Sequence, residues 1–204
     1  MRLVRNLFFT AAIISLTAAR PALPGYGVGD TVADFKLKNV NGKMVALSDY
    51  KESKGVILVF DCNTCPFSKA YNERIIDLHK KYNSQGFPVV AVNANDSRVS
   101  PGDSFDEMVR VAKQKNYEFP YLIDETQKVA RAFGATNTPH VFILKRDGQD
   151  FKVAYIGAID NSAKDADNAD KKYVEEAVEA LLAGKEVPIT KTKAIGCGIK
   201  WKDA

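Results

Sequence analysis

The sequence has no cluster of basic residues interleaved with aromatics, and its formal charge is only +4 over 204 residues. Two of those charges, Arg2 and Arg5, lie at the extreme N-terminus, and setting them aside halves the excess. A nucleic-acid partner therefore has nothing to bind, and none is expected. Internal repeats and low-complexity stretches are missing as well. Apart from residues 6–19, no run is long and apolar enough to suggest a membrane crossing. No cysteine follows that run, so lipid attachment at an N-terminal cysteine is not expected. The remaining composition, 46% hydrophobic and 26% charged, is that of an ordinary globular protein, and the length suits one domain.

The N-terminus has the parts of an export signal. "MRLVR" is positive, "NLFFTAAIISLTAA" is apolar but short, and "TAA" ends at Ala19 with small residues. Residues 1–19 are read as a signal peptide. A later cut, up to Ala22, would place Arg20 where a small residue is wanted. The competing reading is a buried helix or a retained anchor. Export would put the mature protein in the periplasm or outside the cell, where disulfides persist, with no membrane span left after signal removal.

Beyond a Pro- and Gly-rich linker, "ADFKLKNVNGKMVALSDY" alternates apolar and polar residues around Asn41-Gly42, the pattern of a β-hairpin. "GVILVF" and "FPVVAVNAN" are continuous apolar runs, as in strands buried on both faces. Between them Phe67, Tyr71, Ile75, Leu78 and Tyr82 recur at steps of three and four, a helical stripe that Gly86 stops. A second helix is expected after Ser104 or Asp103, then a short strand "FPYLID", then a helix from Asp124 to Phe133. Two strands joined at Asp147-Gly148 follow. The last helix, "KKYVEEAVEALLAG", turns the pairs 173/174, 177/178 and 181/182 inward. Strands alternating with helices imply right-handed βαβ units. The fold class is α/β, with one domain over residues 26–185 and a tail over 186–204 that shows no period.

Two of the three cysteines stand in "DCNTCPF". Pro66 is tolerated in a helix only in the first turn, where its missing N–H matters little. That places Cys65 in the first turn and Cys62 at or just before the cap, where unpaired N–H groups and the helix dipole favour a thiolate. The pair reads as a redox centre, a metal clip or a staple. As a staple it is weak: a four-residue loop gains roughly 2 kcal/mol from closure, whereas a bridge to Cys197 would gain roughly 5 kcal/mol. A Cys-x-x-Cys beside a βαβ unit favours redox work. Cys197 lies between glycines in "AIGCGIKW" and is either an idle thiol or a group that packs near the site.

Strand, Cys-x-x-Cys, long helix and a later Thr138-Pro139 before the strand "HVFILK" resemble the thioredoxin superfamily. The N-terminal hairpin is similar to the entry of its redoxin branch, which includes peroxiredoxins. The resemblance implies a thioredoxin-like fold, a central mixed sheet flanked by helices with an N-terminal β-hairpin extension. It implies thiol–disulfide exchange without a cofactor, in which Cys62 attacks and Cys65 resolves the mixed disulfide, with the two thiols sharing a disulfide. It makes Pro139 a cis-proline and has Thr138 and Pro139 shape a groove for a substrate's extended chain. Partners would be disulfide-containing proteins or small thiols, with an upstream electron donor or acceptor.

Departures from the family pattern fall near the cysteines. Asp61 stands where thioredoxins carry tryptophan; it reads as a solvated or capping acid, and its charge would oppose ionisation of Cys62. "GVILVF" lacks the buried acid of thioredoxins. Cys65-Pro66 matches half of the peroxiredoxin motif, with Cys62 in place of the threonine, so a thiol peroxidase using Cys65, with antioxidant activity, is the alternative. A copper-binding chaperone using Cys62, Cys65 and His140 is a further one; His140 reads first as structural.

Overall fold

A computed structural model describes residues 25–202. The signal-peptide reading of residues 1–19 lies outside them. The strands are β1 (Thr31–Val32), β2 (Lys36–Asn39), β3 (Met44–Ala46), β4 (Gly55–Phe60), β5 (Val89–Asn93), β6 (Tyr121–Ile123), β7 (Asn137–Thr138), β8 (His140–Asp147), β9 (Asp150–Gly157) and β10 (Cys197–Gly198). The helices are α1 (Pro66–Tyr82), α2 (Phe105–Gln114), α3 (Lys128–Phe133) and α4 (Tyr173–Leu182). Eight strands form one mixed sheet in the order β1-β9-β8-β4-β5-β6-β2-β3. β4, β5 and β6 run parallel, and β8 returns antiparallel along β4. Among the described residues no helix is long and apolar enough to cross a membrane.

The continuous apolar runs do what their composition requires. Ile57 and Val59 of β4 face one core with α1, α2 and α4, while Val56, Leu58 and Phe60 face the other with α3. A strand covered on both faces loses the polar alternation of a half-exposed one. Both expected hairpins form: β2–β3 through Gly42, whose φ is 83°, and β8–β9 through Gly148. The first hairpin also pairs with β6, so it continues the central sheet as its edge. α1 stops at a short 3-10 turn before Gly86, and α4 buries Val174, Ala177 and Val178 as its pattern requires.

Two regions depart from expectation. The helix read from Asp124 begins only at Lys128, because Gln127 takes a left-handed backbone with φ 58°. Its amide nitrogen donates to the carbonyls of Ala94 at 2.6 Å and Lys200 at 2.8 Å, and its Oε1 accepts from Lys202 N–H. The segment after Leu182 is the other. Residues 191–200 fold back over the domain: Lys191 bridges Ile156, β10 pairs with β7, and Ile199 enters the core that holds α3.

Candidate active site

Pro66 occupies the first position of α1, as the proline rule requires, but Cys65 is the N-cap rather than a first-turn residue, so Cys62 lies farther from the helix end than expected. Cys62 stands three residues earlier, where β4 leaves the sheet. The Thr138–Pro139 peptide bond is cis and lies beside the cysteines. Thr138 contacts both of them: its Oγ1 is 3.1 Å from Cys62 Sγ, and its carbonyl is 3.2 Å from Cys65 Sγ.

The third cysteine changes the pairing. Cys65 forms a disulfide with Cys197, across 132 residues and a Cα separation of 5.9 Å, and Cys62 is a buried free thiol. The expected Cys62–Cys65 bond is therefore absent here. Register explains it. β10 runs antiparallel to β7 and sets Cys197 directly opposite Thr138, whose carbonyl already touches Cys65 Sγ. Gly196 permits the approach, since a Cβ at that position would stand 2.2 Å from the Thr138 carbonyl oxygen. The tail thus lies along the Thr138 backbone edge.

The two residues between Cys62 and Cys65 are tied to a buried carboxylate that sequence reading missed. Asp103 accepts from the Asn63 N–H at 2.7 Å, the Thr64 hydroxyl at 2.7 Å, the Ser100 hydroxyl at 2.6 Å and the Asn95 amide at 2.9 Å. Burial pushes the Asp103 carboxyl up, but these hydrogen bonds outweigh it and hold the group below its usual range. Of these donors the Asn63 N–H is backbone, and the Thr64 hydroxyl is the one a Gly-Pro insert lacks.

Asp61 is not a solvated acid. It is 5% exposed, and its Oδ1 has no hydrogen-bond partner among the described residues. Burial raises its pKa to about 6, against the pull of a hydrogen bond from Ser68. Burial also pushes the Cys62 thiol up, and the Asp61 and Asp103 charges add to it. The hydrogen bonds from the Thr138 hydroxyl and the Cys65 backbone oppose that rise. Ser68, in the first turn of α1, lies 3.7 Å from Cys62 Sγ.

His140 does not join the cysteines. It is buried against Phe142, accepts from Thr136 N–H at 3.4 Å, and burial lowers its pKa to about 4. The described residues contain no group of three or more His, Cys, Asp or Glu side chains placed to hold a metal. With Cys65 engaged by Cys197, the copper ligand set of Cys62, Cys65 and His140 is not assembled. His79 is likewise internal, its Nδ1 accepting from Val89 N–H.

The chain is 30% identical over 125 residues to the thiol-disulfide oxidoreductase ResA of Bacillus subtilis (strain 168), a match over 61% of this chain and 65% of that protein's length. A conserved protein of Geobacillus kaustophilus superposes with a TM-score of 0.81 at 36% identity, covering 92% of this chain and all 100% of its own. The exposed lipoprotein thioredoxin Etrx1 of Streptococcus pneumoniae strain TIGR4 covers 72% of this chain and 99% of its own, at TM-score 0.55 and 22% identity, and shows the fold alone. That fold is thioredoxin-like, with the curled mixed sheet between helices already described. The AhpC/TSA family matches residues 28–153, more than half the sequence and the whole cysteine motif. The chain belongs to the AhpC/TSA family.

Proposed function

We propose that this protein is a thiol–disulfide oxidoreductase in which Cys62 is the attacking thiol, Cys65 the resolving thiol and Cys197 the final holder of the disulfide. The observation that carries this reading is the contact of Thr138 with both Cys62 and Cys65, while its backbone pairs with Cys197. The named similarity to ResA supports the same chemistry.

The steps balance as follows. In the fully reduced protein the Cys62 thiolate attacks one sulfur of a disulfide R–S–S–R, forms Cys62–S–S–R and expels RS⁻, which takes up a proton. Cys65 then attacks Cys62 Sγ, expelling the second RSH and leaving a Cys62–Cys65 bond. Cys197 attacks Cys65 Sγ, which returns Cys62 to the thiol form and leaves the Cys65–Cys197 disulfide. An external dithiol reduces that bond and restores the three thiols. Run in reverse, the cycle oxidises clients. The arrangement in the structure, with one free thiol and the disulfide in the tail, corresponds to the end of this sequence.

The N-terminal segment supports export, through the positive start, the short apolar run and the small residues ending at Ala19. An oxidising compartment suits a chain with a long-range disulfide.

One observation favours a second reading. Cys65, the cysteine before Pro66, is bonded to a distant tail cysteine, as a peroxide-reactive thiol and its resolving partner would be. Single Cys→Ser variants separate the two. Exchange predicts that Cys62→Ser abolishes turnover of disulfides. A peroxidase predicts peroxide consumption that survives Cys62→Ser and is lost in Cys65→Ser, and that result would overturn the exchange reading.

A further inference from the structure

Beside Cys62 lies a cavity of about 460 Å³, between the start of α1 and the face of α2. That is the size of a small-molecule site. Cys62 and Asn72 line its inner part, and Lys69, Glu107, Arg110 and Lys115 also border it. Asn72 is 7% exposed; its amide nitrogen donates to the Tyr117 hydroxyl, but its Oδ1 has no partner among the described residues. A buried acceptor facing a cavity takes its donor from water or from a ligand that displaces the water. The border carries Lys69, Arg110 and Lys115 against Glu107, which pairs with Arg110, and Glu73, which pairs with Lys115, so one positive charge is left over for a ligand carboxylate. On the opposite side of the cysteines the approach is taken, because β10 pairs with the Thr138 edge along which an extended client chain would lie.

We infer that the cavity is the substrate site and that the substrate is a low-molecular-weight disulfide carrying carboxylate groups and an N–H donor, rather than an extended segment of a protein. This rests on the exchange reading above. One carboxylate meets Lys69, a second shares Arg110 with Glu107 or Lys115 with Glu73, an N–H reaches Asn72 Oδ1, and the sulfur–sulfur bond is presented to Cys62. Attack by Cys62 and release of two thiols then follow the steps already given.

Two experiments separate this inference from the reading beneath it. The reduced protein is mixed with glutathione disulfide, with uncharged hydroxyethyl disulfide and with insulin. Glutathione disulfide is expected to react fastest per disulfide, by about tenfold over insulin, the equivalent of 1.4 kcal/mol. In Arg110→Glu the ratio of glutathione disulfide to hydroxyethyl disulfide rates is expected to fall about tenfold. Insulin reacting as fast as glutathione disulfide, or a ratio that Arg110→Glu leaves unchanged, overturns the substrate class while exchange itself stands. No reaction with any of the three overturns the exchange reading, and the substrate class with it. S-methylglutathione, which has no disulfide, probes the cavity apart from chemistry. Its amide shifts in nuclear magnetic resonance are expected on residues 62–72 and 107–117. Shifts confined to Thr138 and Cys197, or none, would sink the inference.

Discussion

Thr138 Oγ1 lies 3.1 Å from Cys62 Sγ, and the same residue pairs through its backbone with Cys197. A hydroxyl that donates to the thiolate favours ionisation of a thiol that burial disfavours. Thr138→Val removes the donor and keeps the shape and the strand pairing. Alkylation of Cys62 by iodoacetamide at neutral pH is expected to slow by roughly two- to tenfold, the worth of one net hydrogen bond. Faster alkylation would mean that the hydroxyl accepts from the thiol and stabilises the neutral form.

Asp61 acts on the same thiol with the opposite sign. Its charge holds Cys62 up, so Asp61→Asn is expected to move the alkylation pH profile down and to raise the rate at pH 7. Thr138→Val and Asp61→Asn should therefore move the profile in opposite directions. An unchanged profile in Asp61→Asn would remove the carboxylate from the reactivity of Cys62.

Asp61 also has a stability signature. Its folded pKa, about 6, is above the ordinary 3.8, so the folded state holds the proton more tightly than the unfolded chain. The resulting stability is complete below pH 3.8 and is lost as pH rises through 6. Asp61→Asn, which has no charge to bury, is expected to gain on the wild type by about 2 kcal/mol between pH 4 and pH 7. Urea unfolding at the two pH values measures this. A difference that is flat with pH would mean that the carboxylate is not desolvated.

Cys197 fastens the tail through its bond to Cys65, beside the role proposed for it in exchange. In a Cys62→Ser background, where Cys65 has no other partner, adding Cys197→Ser is expected to cost roughly 3 to 5 kcal/mol under oxidising conditions. A dithiol reductant should erase the difference. In the single variant Cys197→Ser, mass mapping is expected to find Cys62 bonded to Cys65, the pairing that their spacing allows.

Much of this arrangement could be read from sequence because local rules determine it. Pro66 fixes where α1 begins, the apolar runs fix which strands are central, and Asn41-Gly42 and Asp147-Gly148 fix two hairpins. The place of Thr138-Pro139 beside the cysteines is different: it follows from the resemblance to the thioredoxin superfamily, not from a local rule. The unread part depends on distant contacts. Asp103 looks like an ordinary loop acid, yet its partners are Asn63 and Thr64, about 40 residues away. Asp61 follows an apolar strand and reads as its solvated or capping end, but it is buried and takes a hydrogen bond from Ser68 of α1. The pairing of Cys65 with Cys197 comes from a two-residue strand in a tail without periodicity, so nothing local announces it. Gln127 is similar: its left-handed backbone follows from hydrogen bonds to Ala94 and to Lys200 and Lys202 of the tail.

The role proposed for Cys62 as the first attacking thiol is the centre of the mechanism, and trapping the first adduct tests it. The fully reduced protein is mixed with a limiting amount of glutathione disulfide, quenched at successive times with acid and mapped by mass spectrometry. The expected order is glutathione on Cys62 first, then Cys62–Cys65, then Cys65–Cys197 with Cys62 again free. A first adduct on Cys65 or Cys197, with Cys62 reduced throughout, would contradict it.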